Sequence, residues 1–236
     1  MSKITDLSGP LYPGLWSYNV LPGLGVHIPE FAVEKLAHIA SHGFEAFGFT
    51  LSSITGTYLE TGAHMLAGMP MLSDLDPSAF VRPAVVCHVP TKGPEELIHG
   101  AELAACCPPI RPGDALLIDC GWGRHPLTGT FRWRSADYVT RGPAFHRDCL
   151  PWLLAQPITI LGVDVPCIET ARSRPDGSEA TGNMLIPIFQ KGVLLLAPLV
   201  NLDTIQATRG ELIALPLNVE GVSGAPCRAI FKEEES

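Results

Sequence analysis

Apolar and polar positions alternate in short blocks along this chain, and Gly or Pro ends most of the blocks. The 236 residues include 23 Gly and 22 Pro. Short runs of β-branched and apolar residues bounded in this way are typical of strands. The pattern therefore predicts an α/β fold built on a mixed β-sheet. The runs predicted to contain strands are 45–53, 81–89, 113–122, 158–165, 191–200, 211–221 and 226–232.

Two other segments have helical spacing. Residues 29–43 repeat apolar side chains at a near-helical period, with Pro29 suited to a first turn and Gly43 to a left-handed cap. Residues 93–107 open with a proline and two glutamates, which the positive end of a helix dipole favours. We therefore expect a helix in each.

Composition narrows the class of protein. A hydrophobic content of 46% can supply one sizeable core, so we treat 1–236 as a single domain. The net charge of -8 and the scattered Lys and Arg argue against a nucleic-acid partner. No apolar run is long enough to cross a bilayer, and the N-terminus lacks the order of a signal peptide, so we expect a cytoplasmic protein. The seven irregularly spaced cysteines are expected to be reduced.

One polar segment carries candidate chemistry. The stretch LSSITGTYLETGAHM, residues 51–65, places Thr57, Tyr58, Glu60 and His64 between apolar runs. A carboxylate and an imidazole four residues apart can bind a metal ion, transfer protons, or form a polar turn. The residues alone leave these three alternatives open.

Several motifs together resemble the cyclase family. They are the TGT of the polar segment with its following His, then LDPSAFVRPAVV, RPGDALLIDCGWG, ITILGVDVPCIE, GVLLLAPLVNLDTI and GELIALPLNVEGVSGAPCRAIF. The resemblance runs from about Thr5 to Phe231. It implies an α/β fold related to the swivelling β/β/α domain, assembly as homodimers or homotetramers, and hydrolysis of amide or lactam C–N bonds in small molecules with a divalent metal.

The family's metal signature, H-x-G-T-H-x-D-x-P-x-H, falls on residues 54–64. Gly56, Thr57 and His64 match it, whereas Ile54 and Tyr58 replace two ligand histidines and Glu60 replaces a ligand aspartate. Ile offers no donor atom, and a neutral phenol is a poor ligand for zinc or manganese.

The resemblance also places two later ligands, a His and a Glu, near Leu185 and Ala197. No histidine follows His146, so the late His is absent in any register. We therefore predict that no metal cofactor binds at the family site. The alternative is a zinc or manganese site rebuilt from residues on other strands, for which the candidates are Cys87, His88, Cys120 and Cys167.

The resemblance makes His64 the acid-base residue. Glu60 can then orient His64 and stabilise its charged form, and Tyr58 can donate a hydrogen bond to a substrate carbonyl. Thr57 is a candidate substrate contact. Trp16 and Tyr12 are candidates for an aromatic substrate pocket, with core or subunit packing as the alternative.

Two classes of function remain. The first is an enzyme for small cyclic or carbonyl-containing substrates, acting by amide or lactam hydrolysis or by metal-independent proton transfer, cyclisation or dehydration. The second is a non-catalytic small-molecule binder or scaffold. Residues 171–183, rich in turn-forming residues, are expected to form a surface turn or a lid.

Overall fold

The computed structural model describes residues 3–21, 25–123, 132–135, 137–169 and 184–234. Their main element is an eight-stranded mixed sheet with the order β1-β12-β11-β5-β7-β9-β10-β4. Its strands are β1 (Ile4–Asp6), β4 (Tyr58–Glu60), β5 (Val81–His88), β7 (Ala115–Asp119), β9 (Ile160–Val163), β10 (Leu194–Ala197), β11 (Arg209–Pro216) and β12 (Gly224–Glu233).

The sheet closes on itself through β4. One edge of β4 pairs with β10, where Tyr58 lies opposite Ala197, and the other edge pairs with β12, where Glu60 lies opposite Gly224. Strand β1 pairs with the same edge of β12 further along, from Ile4 to Asp6. Closure leaves β4 without a free edge, so its backbone is fixed on both sides.

Strands β5, β7, β9 and β10 run parallel, and every residue of β7, β9 and β10 is buried, as are residues 84–87 of β5. One apolar cluster, which we call the inner core, combines residues from seven strands, among them Leu59, Leu117 and Phe231. The alternate strand residues belong to a second cluster, the outer core, which includes residues of the helices. Those helices are α2 (Gly100–Cys106), α3 (Cys149–Ala155) and α4 (Leu185–Gln190). Burial on both faces explains why these strands are continuously apolar in sequence.

Two small sheets lie outside the main sheet. Strands β2 (Ala32–Ala37) and β3 (Ala46–Thr50) form an antiparallel ribbon, with the short helix α1 (Ile39–His42) between them. Strands β6 (Leu97–Ile98) and β8 (Ala144–Phe145) pair in parallel.

The predicted α/β fold with a mixed sheet is confirmed, and each of the seven predicted strand runs contains a strand. The predicted helix over 29–43 is wrong for most of its length, because Ala32–Ala37 is strand β2, paired with β3; a short helix, Ile39–His42, and the predicted left-handed cap at Gly43 are present. Its helical spacing does not produce a buried helical face, since Val33 and Leu36 are both exposed. The predicted helix over 93–107 begins only at Gly100, because Leu97–Ile98 is strand β6 and Glu95 has a φ of 66°.

The helices of the described residues are short. The longest, α2 and α3, have seven residues each. A bilayer span needs about 20 apolar residues in a helix. None of the helices in the described ranges can therefore cross a membrane.

Close packing of β11 against β12 depends on Gly210. A Cβ at this position would lie 2.4 Å from the Lys232 carbonyl oxygen and 2.5 Å from the Phe231 ring. We expect Gly210→Ala to lower the free energy of unfolding by about 1–3 kcal/mol, because the backbone oxygen cannot move without breaking strand pairing. Gly48→Ala is the matched control, since its nearest neighbour, Leu36, would lie at 3.5 Å. Equal urea-unfolding midpoints for the two variants would contradict this account.

Candidate active site

Strand β4 divides the polar segment between two faces of the sheet. Leu59 points into the inner core, whereas Tyr58 belongs to the outer core and Glu60, two residues on, shares its face. Glu60 is 2% exposed, although it is a carboxyl group. The alternation therefore buries Glu60 as a direct consequence of strand pairing. This strand was not predicted from the sequence.

A short turn then brings His64 back over Glu60. The Thr61 hydroxyl accepts a hydrogen bond from Ala63 N at 3.2 Å and caps a 3₁₀ turn over Gly62–His64. His64 Nδ1 consequently lies 3.6 Å from Glu60 Oε2. A strand followed by a single turn thus brings Glu60 and His64 together, whereas the sequence suggested that a helical turn would do so.

The Glu60 and His64 pair is held in its neutral form. Burial raises the pKa of Glu60 to about 8, and Oε2 has no hydrogen-bond partner among the described residues. Burial also lowers the pKa of His64. The 3.6 Å separation would suit an ion pair, but both shifts favour uncharged groups. At neutral pH the site therefore presents a protonated carboxyl group beside an unprotonated imidazole.

Tyr58 is the first member of a hydrogen-bond chain. Its hydroxyl lies 3.2 Å from that of Tyr18, and the Tyr18 hydroxyl donates to the Pro166 carbonyl at 2.6 Å. Because Tyr18 has one hydroxyl proton and gives it to Pro166, Tyr58 donates to Tyr18. Burial raises the pKa of both phenols, which stay protonated. In this arrangement Tyr58 does not offer its proton to a substrate.

Two further residues belong to this cluster. Tyr18 was missed by the sequence reasoning, and its only signal was its place beside Trp16 in an aromatic segment. Cys167, considered from sequence only as a metal ligand, lies close enough to Tyr58 and Glu60 to interact with both electrostatically. Burial raises the pKa of the Cys167 thiol to about 12, so the thiol stays protonated and lines the site as an uncharged group.

Trp16 contacts the cluster, whereas Tyr12 lies further away. The Trp16 ring packs edge-on against Tyr18 at 5.6 Å and against Trp133 at 5.2 Å, and its buried Nε1 has no partner among the described residues. Tyr12 donates to the Trp133 carbonyl at 3.4 Å and lies under the Arg134 guanidinium. Ring contacts among the described residues therefore lead from Trp133 through Trp16 and Tyr18 to Tyr58.

Thr57 lies on the opposite face of β4 from Glu60. Its hydroxyl donates to the Pro198 carbonyl at 2.7 Å and accepts from Gly9 N at 3.4 Å. It lines a cavity of about 720 Å³ together with Phe31 and Phe49, and Tyr58, Glu60 and His64 are not part of that lining. The structure therefore does not bring Thr57 together with the predicted catalytic residues.

The positions that the resemblance assigns to metal ligands lie in or beside the outer core. Ala197 pairs with Tyr58 across β10 and β4, and Leu185 and Ile54 pack in or against the same outer core. Their side chains offer no donor atoms, so Glu60 and His64 are the two remaining donors. A zinc site needs three protein ligands. These residues do not fit the family's metal.

The rebuilt metal site considered from sequence stays a prediction. Among the described residues, one group of three His, Cys, Asp or Glu donors lies within mutual reach, and it contains none of Glu60, His64, Cys87, His88, Cys120 or Cys167. The loop predicted as a lid, 171–183, lies outside the described residues.

A closed mixed sheet with peripheral short helices, with the buried Glu60 on its closing strand and His64 on the turn that follows, defines an α/β protein of the cyclase type. The family model "Putative cyclase" matches residues 5–170, and the chain belongs to this family.

Individual relatives are distant but match over the full length. Kynurenine formamidase from Bordetella avium is 24% identical over 249 residues, covering 99% of each chain. The structure of isatin hydrolase A from Labrenzia aggregata bound to benzyl benzoate superposes with a TM-score of 0.81 at 22% identity, covering 99% of this chain and 94% of that one. A structure described as a potential metal-dependent hydrolase with cyclase activity has a TM-score of 0.71 at 19% identity and covers 100% of both chains. These structures confirm the fold.

The raised pKa of Glu60 predicts a specific pH dependence of stability. Its pKa is about 8 in the folded state and 4.5 as the ordinary value, so the folded state binds the proton more tightly. The resulting stabilisation is complete below about pH 4.5 and is lost as the pH rises through 8, by an amount on the order of a few kcal/mol. The lowered pKa of His64 acts in the opposite direction, because it costs stability as the pH falls below its ordinary value of 6.5.

We therefore expect Glu60→Gln to be more stable than the wild type at pH 8 and to lose the decline between pH 5 and pH 8. Unfolding by urea across this range measures the effect. Glu220→Gln, in an exposed turn, is the control and should follow the wild type. A wild-type stability that does not fall towards pH 8 would show that Glu60 is ionised in the folded protein.

Proposed function

We propose that the protein is an enzyme that transfers protons on a small carbonyl-containing substrate without a metal ion, using His64 and Glu60. The observation that carries this proposal is the 3.6 Å contact between an imidazole and a carboxyl group that burial holds neutral. A neutral imidazole is a base, and a neutral carboxyl group is a hydrogen-bond donor. The imidazole can therefore remove a proton from a substrate, while the carboxyl group beside it holds the ring in place.

The two residues differ in access to solvent, which assigns their roles. The His64 side chain is 41% exposed and can meet a substrate or a water molecule, whereas the Glu60 side chain is 3% exposed. His64 is therefore the general base. Glu60 lies behind the imidazole, where a substrate cannot reach it, so it orients the ring and stabilises its charged form.

Tyr58 has a supporting part in this proposal. It can donate to a substrate only if its hydroxyl turns away from Tyr18, since its proton is otherwise used in that bond. The buried phenols of Tyr58 and Tyr18 exclude water from the inner side of Glu60, and so does the thiol of Cys167. Exclusion of water is what keeps the Glu60 proton in place.

The names of the relatives guide the choice of substrate. One is a formamidase and another hydrolyses isatin, so a carbonyl bonded to nitrogen is the first substrate class to test. A general base with one donor is weaker than a metal, which also lowers the pKa of its bound water to about 7. Activated amides and lactams, enolisable cyclic ketones and ring-closing or dehydrating reactions therefore suit this site better than unactivated amides.

A second candidate is a non-catalytic binder of small molecules. The observation that favours it is the use of the Tyr58 proton within the protein, together with apolar residues at the former ligand positions Ile54, Leu185 and Ala197. A binder would be stabilised by a ligand without converting it. Thermal-shift and turnover measurements on the same compounds separate the two candidates.

We also propose that the protein is a homodimer or homotetramer that uses the β2–β3 ribbon. An isolated two-stranded ribbon is marginally stable, and exposed apolar patches mark contact surfaces. The apolar side chains exposed on this ribbon and its connecting turn are Val33, Leu36, Ile39, Phe44, Phe47 and Phe49. Burial against a second copy would cover them.

The catalytic proposal predicts loss of turnover on removal of His64. The assay follows mass changes in N-formylkynurenine, isatin and panels of lactams, lactones and enolisable cyclic ketones. We expect His64→Ala to reduce turnover of any converted compound by roughly 10²–10⁴-fold, as is typical for loss of a general base. Glu60→Gln, which keeps an amide donor, should reduce it less. The control, His42→Ala, removes an exposed histidine of the ribbon.

Retained turnover in His64→Ala would remove this residue from the mechanism. Turnover that a chelator abolishes and zinc restores would contradict a metal-independent reaction.

The assembly proposal predicts dissociation when charge is placed on the ribbon. We expect the double variant Leu36→Glu/Phe49→Glu to sediment as a monomer, because buried carboxylates would be desolvated at the contact. Val219→Glu, an exposed position in the turn between β11 and β12, is the control. A wild-type protein that is monomeric at micromolar concentration would refute the proposal.

A further inference from the structure

Two histidines end neighbouring parallel strands, on elements other than β4. Strands β6 and β8 pair with Ile98 opposite Phe145, so the next residues, His99 and His146, lie side by side. His146 N donates to the Ile98 carbonyl at 2.8 Å, which fixes this register. The two imidazole rings are consequently 4.7 Å apart, at an angle of 36°.

Asp148 places a carboxylate between the two rings. Its Oδ2 lies 2.9 Å from His99 Nδ1 and 3.0 Å from His146 Nδ1. Its Oδ1 accepts a hydrogen bond from Gly100 N at 2.9 Å, so the second oxygen is held towards the imidazoles. All three ligand atoms lie within 4.8 Å of one another.

The surroundings hold this arrangement in place. A Cβ on Gly100 would lie 2.5 Å from the Asp148 carbonyl oxygen, so the start of α2 is pressed against the start of α3. Below them, the Cys149 thiol donates to the Ile98 carbonyl at 3.1 Å. Glu102, the carboxylate of α2, already accepts hydrogen bonds from His99 N and from Lys92 Nζ. The three ligands therefore come from fixed backbone rather than from free surface loops.

We propose that His99, His146 and Asp148 bind a divalent transition-metal ion, with zinc the best fit. Tetrahedral zinc with bonds of about 2.0–2.1 Å places its ligand atoms roughly 3.3 Å apart. The distances from Asp148 Oδ2 to the Nδ1 atoms of His99 and His146, 2.9 and 3.0 Å, are within a few tenths of an ångström of that value. Two imidazoles and one carboxylate are a common ligand set for zinc and for its first-row neighbours, and the exposed face leaves the fourth position to water.

Ligand chemistry also sets the selectivity. Magnesium and calcium require mainly oxygen ligands, and this site offers a single carboxylate. The opposing interpretation is a purely structural network in which the imidazoles donate hydrogen bonds to Asp148. Glutamine in place of either histidine separates the two, because its amide still donates to the carboxylate but is a poor ligand for zinc.

The test titrates untagged, chelator-treated and desalted protein with zinc chloride by isothermal calorimetry. We expect one equivalent to bind, with magnesium chloride giving no heat, and cobalt to give the visible absorption of a nitrogen- and oxygen-ligated ion. Loss of an outer-shell partner weakens metal binding by roughly 10- to 100-fold. His99→Gln and His146→Gln each remove a direct ligand, so each should weaken zinc binding by more than that. His42→Gln is the matched control, because His38 and His42 also pair on the surface, with rings 6.5 Å apart.

Absence of one-equivalent zinc binding to the wild type would overturn the proposal, as would unchanged binding in both glutamine variants. Circular dichroism verifies that the variants are folded. A measurement on the wild type alone provides a second test: zinc should protect His99 and His146, but not His42, from diethyl pyrocarbonate, as mapped by mass spectrometry. Equal labelling with and without zinc would overturn the proposal even if a variant failed to fold.

Discussion

The pairing of β4 along both of its edges is the constraint on which the candidate site depends. A strand of three residues would ordinarily contribute little, but here it joins β10 to β12 and closes the sheet. Closure fixes which side chains point inwards, and strand alternation then requires Glu60 to enter the outer core. Gly224, opposite Glu60, provides the space, because a Cβ there would lie 3.1 Å from Glu60 Cβ. The unusual chemistry of the carboxyl group thus originates in backbone geometry.

The surroundings of β4 also explain why the carboxyl group of Glu60 stays protonated. Where the resemblance expects donor atoms, Leu185 and Ala197 belong to the apolar outer core that contains Tyr58, and Ile54 packs against it. Less polar surroundings make a carboxylate more costly, so the proton stays on Glu60. Apolar residues at these positions therefore favour a neutral Glu60 beside a neutral imidazole.

Sequence predicted the sheet well because its strands have strong local signals. Runs such as 113–122 and 191–200 are apolar and bounded by Gly or Pro, and both contain strands. Residues 29–43 were misassigned because apolar spacing alone cannot distinguish a helical face from a ribbon whose apolar side chains remain exposed. Strand β4 was missed because its strand character comes from partners more than 130 residues away, Leu195–Ala197 and Gly224–Pro226. The proximity of Glu60 and His64 could be predicted from their spacing, but the contribution of Tyr18 depends on the fold that brings it to Tyr58.

The remote pairing of β4 also sets an order of events during synthesis. Residues 58–60 leave the ribosome long before Gly224–Pro226, so one edge of β4 has no partner until almost the whole described chain is present. Non-local pairings of this kind are slow to form, and unpaired edges are open to wrong association. The surroundings of Glu60 are therefore completed among the last features of the molecule. Cleavage within the final hairpin would expose Glu60 to water before it disturbed the parallel strands.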